Sequence, residues 1–166
     1  MRRFSLALAA ALLAVLIAAP AALAVVNYKG KTTQGNDFNL RTDDAGIAER
    51  TSYGWDMNCS GGGSLTNGGT VSRFPNANAA GFESAGKYEA PIENKFVGRF
   101  KVKIEGERVS DTRFRGSFKV KAKIFKKSSG EQLTKCSTGI VRWTADVIAP
   151  PATPRAARSG GELSLR

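Results

Sequence analysis

The chain has 166 residues with 25 basic and 14 acidic side chains, a net charge of +11, and 42% of its residues are hydrophobic. It contains no histidine, which excludes Ser-His-Asp and Cys-His catalysis and the ordinary zinc, copper and non-haem iron sites. We therefore predict no catalytic, cofactor-binding or metal-binding residue, and the composition favours a protein that is not an enzyme.

The first 24 residues are typical of a secretory signal peptide. Arg2 and Arg3 give a positively charged start, and the stretch from Leu6 to Ala19 is apolar. Ala22-Leu23-Ala24 is an Ala-x-Ala cleavage motif, which predicts cleavage after Ala24. The apolar run is shorter than the roughly 20 residues that cross a bilayer. We expect a secreted or cell-envelope protein with no transmembrane segment in the mature chain.

Two short strands are predicted between Val25 and Leu40, where apolar residues are separated by turn residues. From Ile47 onwards apolar and polar residues alternate, which predicts a longer strand with one buried face. The residues on that inward side are Tyr53, Trp55, Met57 and Cys59.

A glycine-rich loop follows Cys59, beginning with Gly61-Gly62-Gly63 and continuing to Asn67-Gly68-Gly69. No Gly-Lys-Ser/Thr ending accompanies these glycines, so they indicate turns rather than a phosphate cradle. A short strand is predicted near Thr70 to Phe74. The segment from Pro75 to Pro91 lacks periodicity and is predicted to be mainly loop.

Two long strands forming a hairpin are predicted between Phe96 and Ile124, because large apolar residues fall at even positions there. A turn at Ser110-Asp111-Thr112 sets a register in which facing residue numbers add up to about 222. This register places Gly106 opposite Gly116, and inward-facing paired glycines suggest a bend or bulge.

The C-terminal part predicts a strand through Leu133 and Cys136, a last strand from Gly139 to Ile148, and a disordered tail over 150–166. Two cysteines in an exported chain usually pair. A Cys59–Cys136 bond would stabilise the fold by about 4.5 kcal/mol in the chain-entropy model. The predicted fold is an all-β antiparallel sandwich of Ig-like or jelly-roll style over 25–149, with about eight strands.

The charge is concentrated in the predicted hairpin. Lys95 to Lys127 contains twelve basic and three acidic residues, whereas the rest of the mature chain is neutral. Alternation puts most of these basic side chains opposite the core, and like charges face one another at Lys103–Lys119 and Lys101–Lys121. The candidate anion-binding residues are Arg99, Lys101, Lys103, Arg115, Lys119, Lys121 and Lys123.

Such a face has two interpretations. Lysines on exposed strands increase solubility and prevent edge-to-edge aggregation. Alternatively, the face binds an anionic polysaccharide, another envelope polymer, lipid head groups or nucleic acid. Sequence-specific nucleic-acid binding is disfavoured, because Phe125 is the one aromatic residue placed among the outward basic side chains.

Other candidate sites have ordinary structural explanations. Glycoside hydrolysis needs two carboxylates flanking a cleft, and the nearest pairs, Glu105 with Glu107 and Glu89 with Glu93, are expected to be solvated. The aspartates that could bind calcium are typical of turns. The tryptophans that could stack on sugars are typical of the core. These residues are Asp37, Asp43 and Asp44 for calcium, and Trp55 and Trp143 for sugar stacking.

Four features together resemble a group of small secreted bacterial β-sandwich proteins of uncharacterised role. They are Tyr28 to Gly35, the Trp55 to Cys59 strand, the glycines Gly106 and Gly116, and the Cys-Ser-Thr-Gly-x-Val-x-Trp ending from Cys136. The similarity spans about Tyr28 to Ala145. It implies a sandwich with strand-joining cysteines and assigns no activity or binding residues.

The sequence therefore favours an exported, non-enzymatic β-sandwich that binds anionic envelope or extracellular polymers through the basic hairpin. The alternative is a lectin-like or glycan-hydrolysing sandwich that acts on neutral carbohydrate.

Overall fold

The computed structural model describes residues 25–148. The predicted signal peptide and the predicted C-terminal tail lie outside these residues. Within 25–148 there is no helix long and apolar enough to cross a membrane.

The all-β prediction is confirmed, with nine strands in place of about eight. The strands are β1 Val26–Thr32, β2 Asp37–Thr42, β3 Ala48–Cys59, β4 Ser64–Val71, β5 Gly81–Glu93, β6 Phe96–Ser110, β7 Arg113–Lys126, β8 Gln132–Ser137 and β9 Val141–Val147.

All nine strands belong to one antiparallel sheet with the order β4-β3-β2-β1-β9-β7-β6-β5. β8 pairs with both β3 and β7. It lies on the same edge of β7 as β9 but farther along the strand, at Lys121–Phe125 rather than Arg113–Phe118. The halves, β1–β4 and β5–β7, face each other in a sandwich-like arrangement.

Aromatic side chains from the two halves meet in the core. Tyr53 of β3 lies 4.6 Å from Phe118 of β7, measured between ring centroids. Trp143 of β9, the strand between the two halves in the sheet order, stacks on Phe38 of β2 at 3.8 Å. All four are buried. The period-2 pattern that buries these rings directs the intervening side chains outward.

The hairpin register predicted from the sequence is confirmed. Gly106 pairs with Gly116, and the pairing continues without a register shift through these glycines. Of the bend or bulge suggested for these glycines, the bulge is not found there, since the register shift lies between Arg108 and Ser110. A Cβ on Gly106 would lie 2.6 Å from the Phe82 ring and 2.8 Å from the Trp143 ring, so the glycine leaves space for aromatic packing.

Two predictions between β3 and β6 are wrong. The segment expected to be a loop contains β5, a strand of 13 residues that pairs with β6 along its length. The strand expected at Thr70 to Phe74 is β4, which begins at Ser64 and includes Asn67-Gly68-Gly69. In both segments, backbone pairing with a neighbouring strand outweighs a weak hydrophobic pattern.

The predicted disulfide is confirmed. Cys59 of β3 and Cys136 of β8 are cross-strand partners and are covalently joined. The bond ties residues 77 positions apart in sequence and fixes β8 against the first half of the sheet.

Candidate anion-binding face

The outer face of β5, β6, β7 and β8 is the side opposite the core. Buried side chains of β7 such as Phe118 and Val120 alternate with outward lysines. Because directly paired residues of antiparallel strands share a face, the pairing of the four strands arranges outward side chains in rows.

Six lysines on this face form neither an ion pair nor a side-chain hydrogen bond with any residue of 25–148. We call them the lysine cluster: Lys87, Lys101, Lys119, Lys121, Lys123 and Lys135. Five are exposed and one, Lys119, is partly buried.

Within the lysine cluster, like charges face one another across strands. Lys101 is paired with Lys87 on one side and with Lys121 on the other. In the next row, Lys123 is paired with Lys135 of β8. Rows are about 7 Å apart along a strand and strands about 4.8 Å apart, so the cluster forms a compact, dense array of positive charge.

Three of the residues predicted to bind anions are on the same face but form ion pairs. Arg99 contacts Glu89 of β5 at 2.9 Å, and Lys103 lies 3.5 Å from Glu83. Arg115 pairs with the carboxylate of Glu107. Arg99 lies opposite Lys123 and Lys103 opposite Lys119, so the ion pairs of Arg99 and Lys103 occupy the same rows as the lysine cluster.

Sequence reasoning missed two members of the lysine cluster. Lys87 lies on β5, a segment whose sequence pattern is typical of a loop, so its pairing with Lys101 could not be deduced. Lys135 is next to the inward-facing Cys136, and period-2 alternation along β8 could have placed Lys135 on the outer face.

The one aromatic residue expected among the basic side chains is covered. The Arg99 guanidinium carbon lies 4.6 Å from the centroid of the Phe125 ring. Arg99 therefore occupies the ring face on which an unpaired base would stack.

The carboxylates considered for glycoside hydrolysis are exposed surface groups of the strands. Glu105 accepts a hydrogen bond from Ser117 at 2.9 Å, and Glu107 pairs with Arg115. Glu89 and Glu93, predicted to lie in a loop, are in β5. All four carboxylate residues are exposed.

Both tryptophans belong to the core. Trp55 and Trp143 are 1% and 2% exposed, so neither presents a ring face to solvent for sugar stacking. The inward register expected for both residues is confirmed.

The shifted carboxylate pKa values belong to structural contacts outside the lysine cluster. A hydrogen bond and the charge of Lys31, at 2.8 Å, lower the pKa of Asp37. A hydrogen bond from Arg113 likewise lowers the pKa of Asp146. Asp43 accepts a hydrogen bond from the backbone N–H of Ile47 within its own turn. Two of the aspartates considered for calcium thus have local partners.

No family model, curated protein or solved structure matches this chain. Its function must therefore be inferred from the chemistry of its own side chains.

Proposed function

We propose that the chain is an exported, non-enzymatic protein that binds an anionic polymer of the cell envelope or extracellular space. The observation that carries this proposal is the lysine cluster, six lysines that have no ion-pair partner within 25–148 and that lie on four neighbouring strands of one face. It extends over an area that suits a chain of repeated charges better than a single small anion.

The cluster has an energetic cost that a bound anion would relieve. Like charges directly opposite each other destabilise a sheet by a few tenths of a kcal/mol per pair or more. Acidic residues of β5 and β6 neutralise Arg99, Lys103 and Arg115 but leave the six lysines without partners. Solubility alone does not require such lysines to be adjacent, because dispersed charges serve it equally well.

An extracytoplasmic location is supported by two features. The disulfide between β3 and β8 is of a kind that persists in oxidising compartments and is rare in the cytosol. The predicted signal peptide gives a route of export. Polymers with repeated acid groups are ordinary components of the envelope and of extracellular material. Their negative charge is complementary to the positive charge of the lysine cluster.

The alternatives have less support from the same residues. A lectin-like sandwich acting on neutral carbohydrate would present exposed aromatic rings. Trp55 and Trp143 are buried, and Tyr88, which is 42% exposed, stacks one ring face on Phe100. Sequence-specific nucleic-acid binding would need free stacking surfaces, whereas Phe125 is covered by Arg99.

Retention on immobilised heparin tests the proposal. We expect the wild-type protein to bind at low salt and to elute with increasing NaCl, because ionic contacts release counterions. The triple variant Lys101→Glu/Lys121→Glu/Lys123→Glu should elute at a much lower salt concentration or not bind at all. Circular dichroism verifies that the variant is folded.

A matched control separates a local site from overall charge. Lys29, Arg50 and Arg73 are exposed, lie outside the lysine cluster and form no ion pair within 25–148. Reversing all three to Glu changes the net charge by the same amount. Elution close to wild type for this control supports a local site, whereas equal losses for both triple variants would contradict the proposal. Binding that is insensitive to salt would favour the neutral-glycan alternative.

A further inference from the structure

A cleft of about 1020 Å³ opens on the outer face next to the lysine cluster. Its lining includes the paired glycines Gly106 and Gly116 together with Trp143. A Cβ on Gly106 would meet the rings of Phe82 and Trp143, and a Cβ on Gly116 would meet Trp143, so the space left by the missing side chains lies inside the core. The open side of the cleft is bounded by outward residues of β1, β6, β7 and β9.

The cleft differs in charge from the lysine cluster. Its charged lining consists of two acidic residues, Glu105 and Glu107, and three basic residues, Lys31, Arg115 and Arg142. Within 25–148 all of these except Arg142 are in ion pairs. Because both carboxylates are in ion pairs, with Lys103 and Arg115, the cleft has little unpaired charge, and its mixture of acceptors and donors suits hydroxyl groups, which can both donate and accept hydrogen bonds. Hydroxyl-bearing side chains, including Ser117, line it as well.

The cleft and the lysine cluster are continuous. The cross-strand pair Glu105–Ser117 in the cleft follows directly after the pair Lys103–Lys119 on the same face. The two pairs are separated by about 7 Å along the strands. An extended polymer lying along β7 on the cluster would therefore pass into the cleft.

We propose that the bound polymer is an anionic polysaccharide, whose acid groups contact the lysine cluster while an uncharged, hydroxyl-rich part of a sugar unit enters the cleft. This inference rests on the proposed function and narrows it. A polymer with a phosphate at every repeat and no free sugar hydroxyls has no hydroxyl group to place in this largely ion-paired cleft. The cleft thereby favours polymers with free sugar hydroxyl groups, and the lysine cluster favours polymers with acid groups.

Two probes separate these contributions: a heparin-derived octasaccharide and a linear inorganic polyphosphate of equal charge. The test variant is Ser117→Ala/Thr144→Val, which removes two cleft hydroxyls without changing charge. We expect its affinity for the octasaccharide to fall about tenfold at every salt concentration, since each lost hydrogen bond costs a few-fold. Its affinity for polyphosphate should stay within about twofold of wild type.

The control is Ser72→Ala/Thr70→Val, which removes two exposed hydroxyls outside the cleft lining and should leave both affinities unchanged. Equal losses on the two probes, or no loss on the octasaccharide, would overturn the inference while leaving the proposed function intact. If Lys101→Glu/Lys121→Glu/Lys123→Glu retained both probes, the proposed function itself would fail.

Discussion

Lys101 is expected to lower the stability of the fold and to strengthen binding of an anionic polymer. It lies between Lys87 and Lys121 as direct cross-strand neighbours, with Lys119 and Lys123 on its diagonals. Replacing it with glutamate turns two repulsive pairs into attractive ones. Each such pair contributes roughly 0.2–1 kcal/mol, so Lys101→Glu should raise the free energy of unfolding by about 1 kcal/mol at low ionic strength.

Thermal and urea unfolding at two salt concentrations measure this effect. A gain of this size should raise Tm by about 3–5 °C in a domain of this length. At 1 M NaCl the Debye length is only about 3 Å, so most of the gain should disappear. The same substitution should weaken binding to heparin, because it removes a central charge of the lysine cluster.

Lys29→Glu is the matched control for this stability prediction. Lys29 is also exposed on a strand, but its cross-strand partners are Asn39 and Asp146, so reversing its charge should leave stability unchanged or lower it. The account of the lysine cluster is refuted if Lys101→Glu is no more stable than wild type at low salt. It is equally refuted if the gain persists undiminished at 1 M NaCl.

Three further predictions concern the fold. Gly106→Ala should lower the free energy of unfolding, measured by urea titration, by about 1–3 kcal/mol, because the added Cβ would overlap core rings. Gly86→Ala is the control and should leave that free energy unchanged, because nothing lies within 4 Å of the added Cβ. Replacing both cysteines with serine should lower the free energy of unfolding by up to about 4.5 kcal/mol, measured against the oxidised wild type. Asp146 has a lowered pKa in the folded protein. Its pairing with Arg113 therefore stabilises the fold at pH values above 3.8, the ordinary pKa of the carboxyl group in the unfolded chain. This stabilisation is lost as the pH falls through the pKa of the folded state. Asp146→Asn should flatten the acid limb of the stability profile, and an unchanged acid limb would contradict this assignment.

The hairpin could be predicted from the sequence because its alternation is strict. Large apolar residues at even positions fix which side is buried, and the short turn fixes the register, so the pairing of Lys101 with Lys121 follows from the residue pattern alone and is confirmed. Cys59 and Cys136 could be joined because the sequence predicts export, and the two cysteines of an exported chain usually pair with each other.

β5 could not be predicted because its sequence does not alternate cleanly. Ser84, Ala85 and Gly86 give no hydrophobic period, and the strand is held by backbone pairing with β6. Missing β5 also hid Lys87 and the acidic partners Glu83 and Glu89. Which basic residues of this face are ion-paired and which are not depends on this long-range pairing.

The salt dependence of affinity for a heparin-derived octasaccharide tests the central claim most directly. In a plot of log K against log salt concentration, each lysine that contacts an acid group contributes roughly 0.7–0.9 to the slope. Lys101→Gln and Lys121→Gln should each reduce the slope by about that amount, and Lys29→Gln should leave it unchanged. Equal slopes for all three variants and the wild type would contradict binding through the lysine cluster.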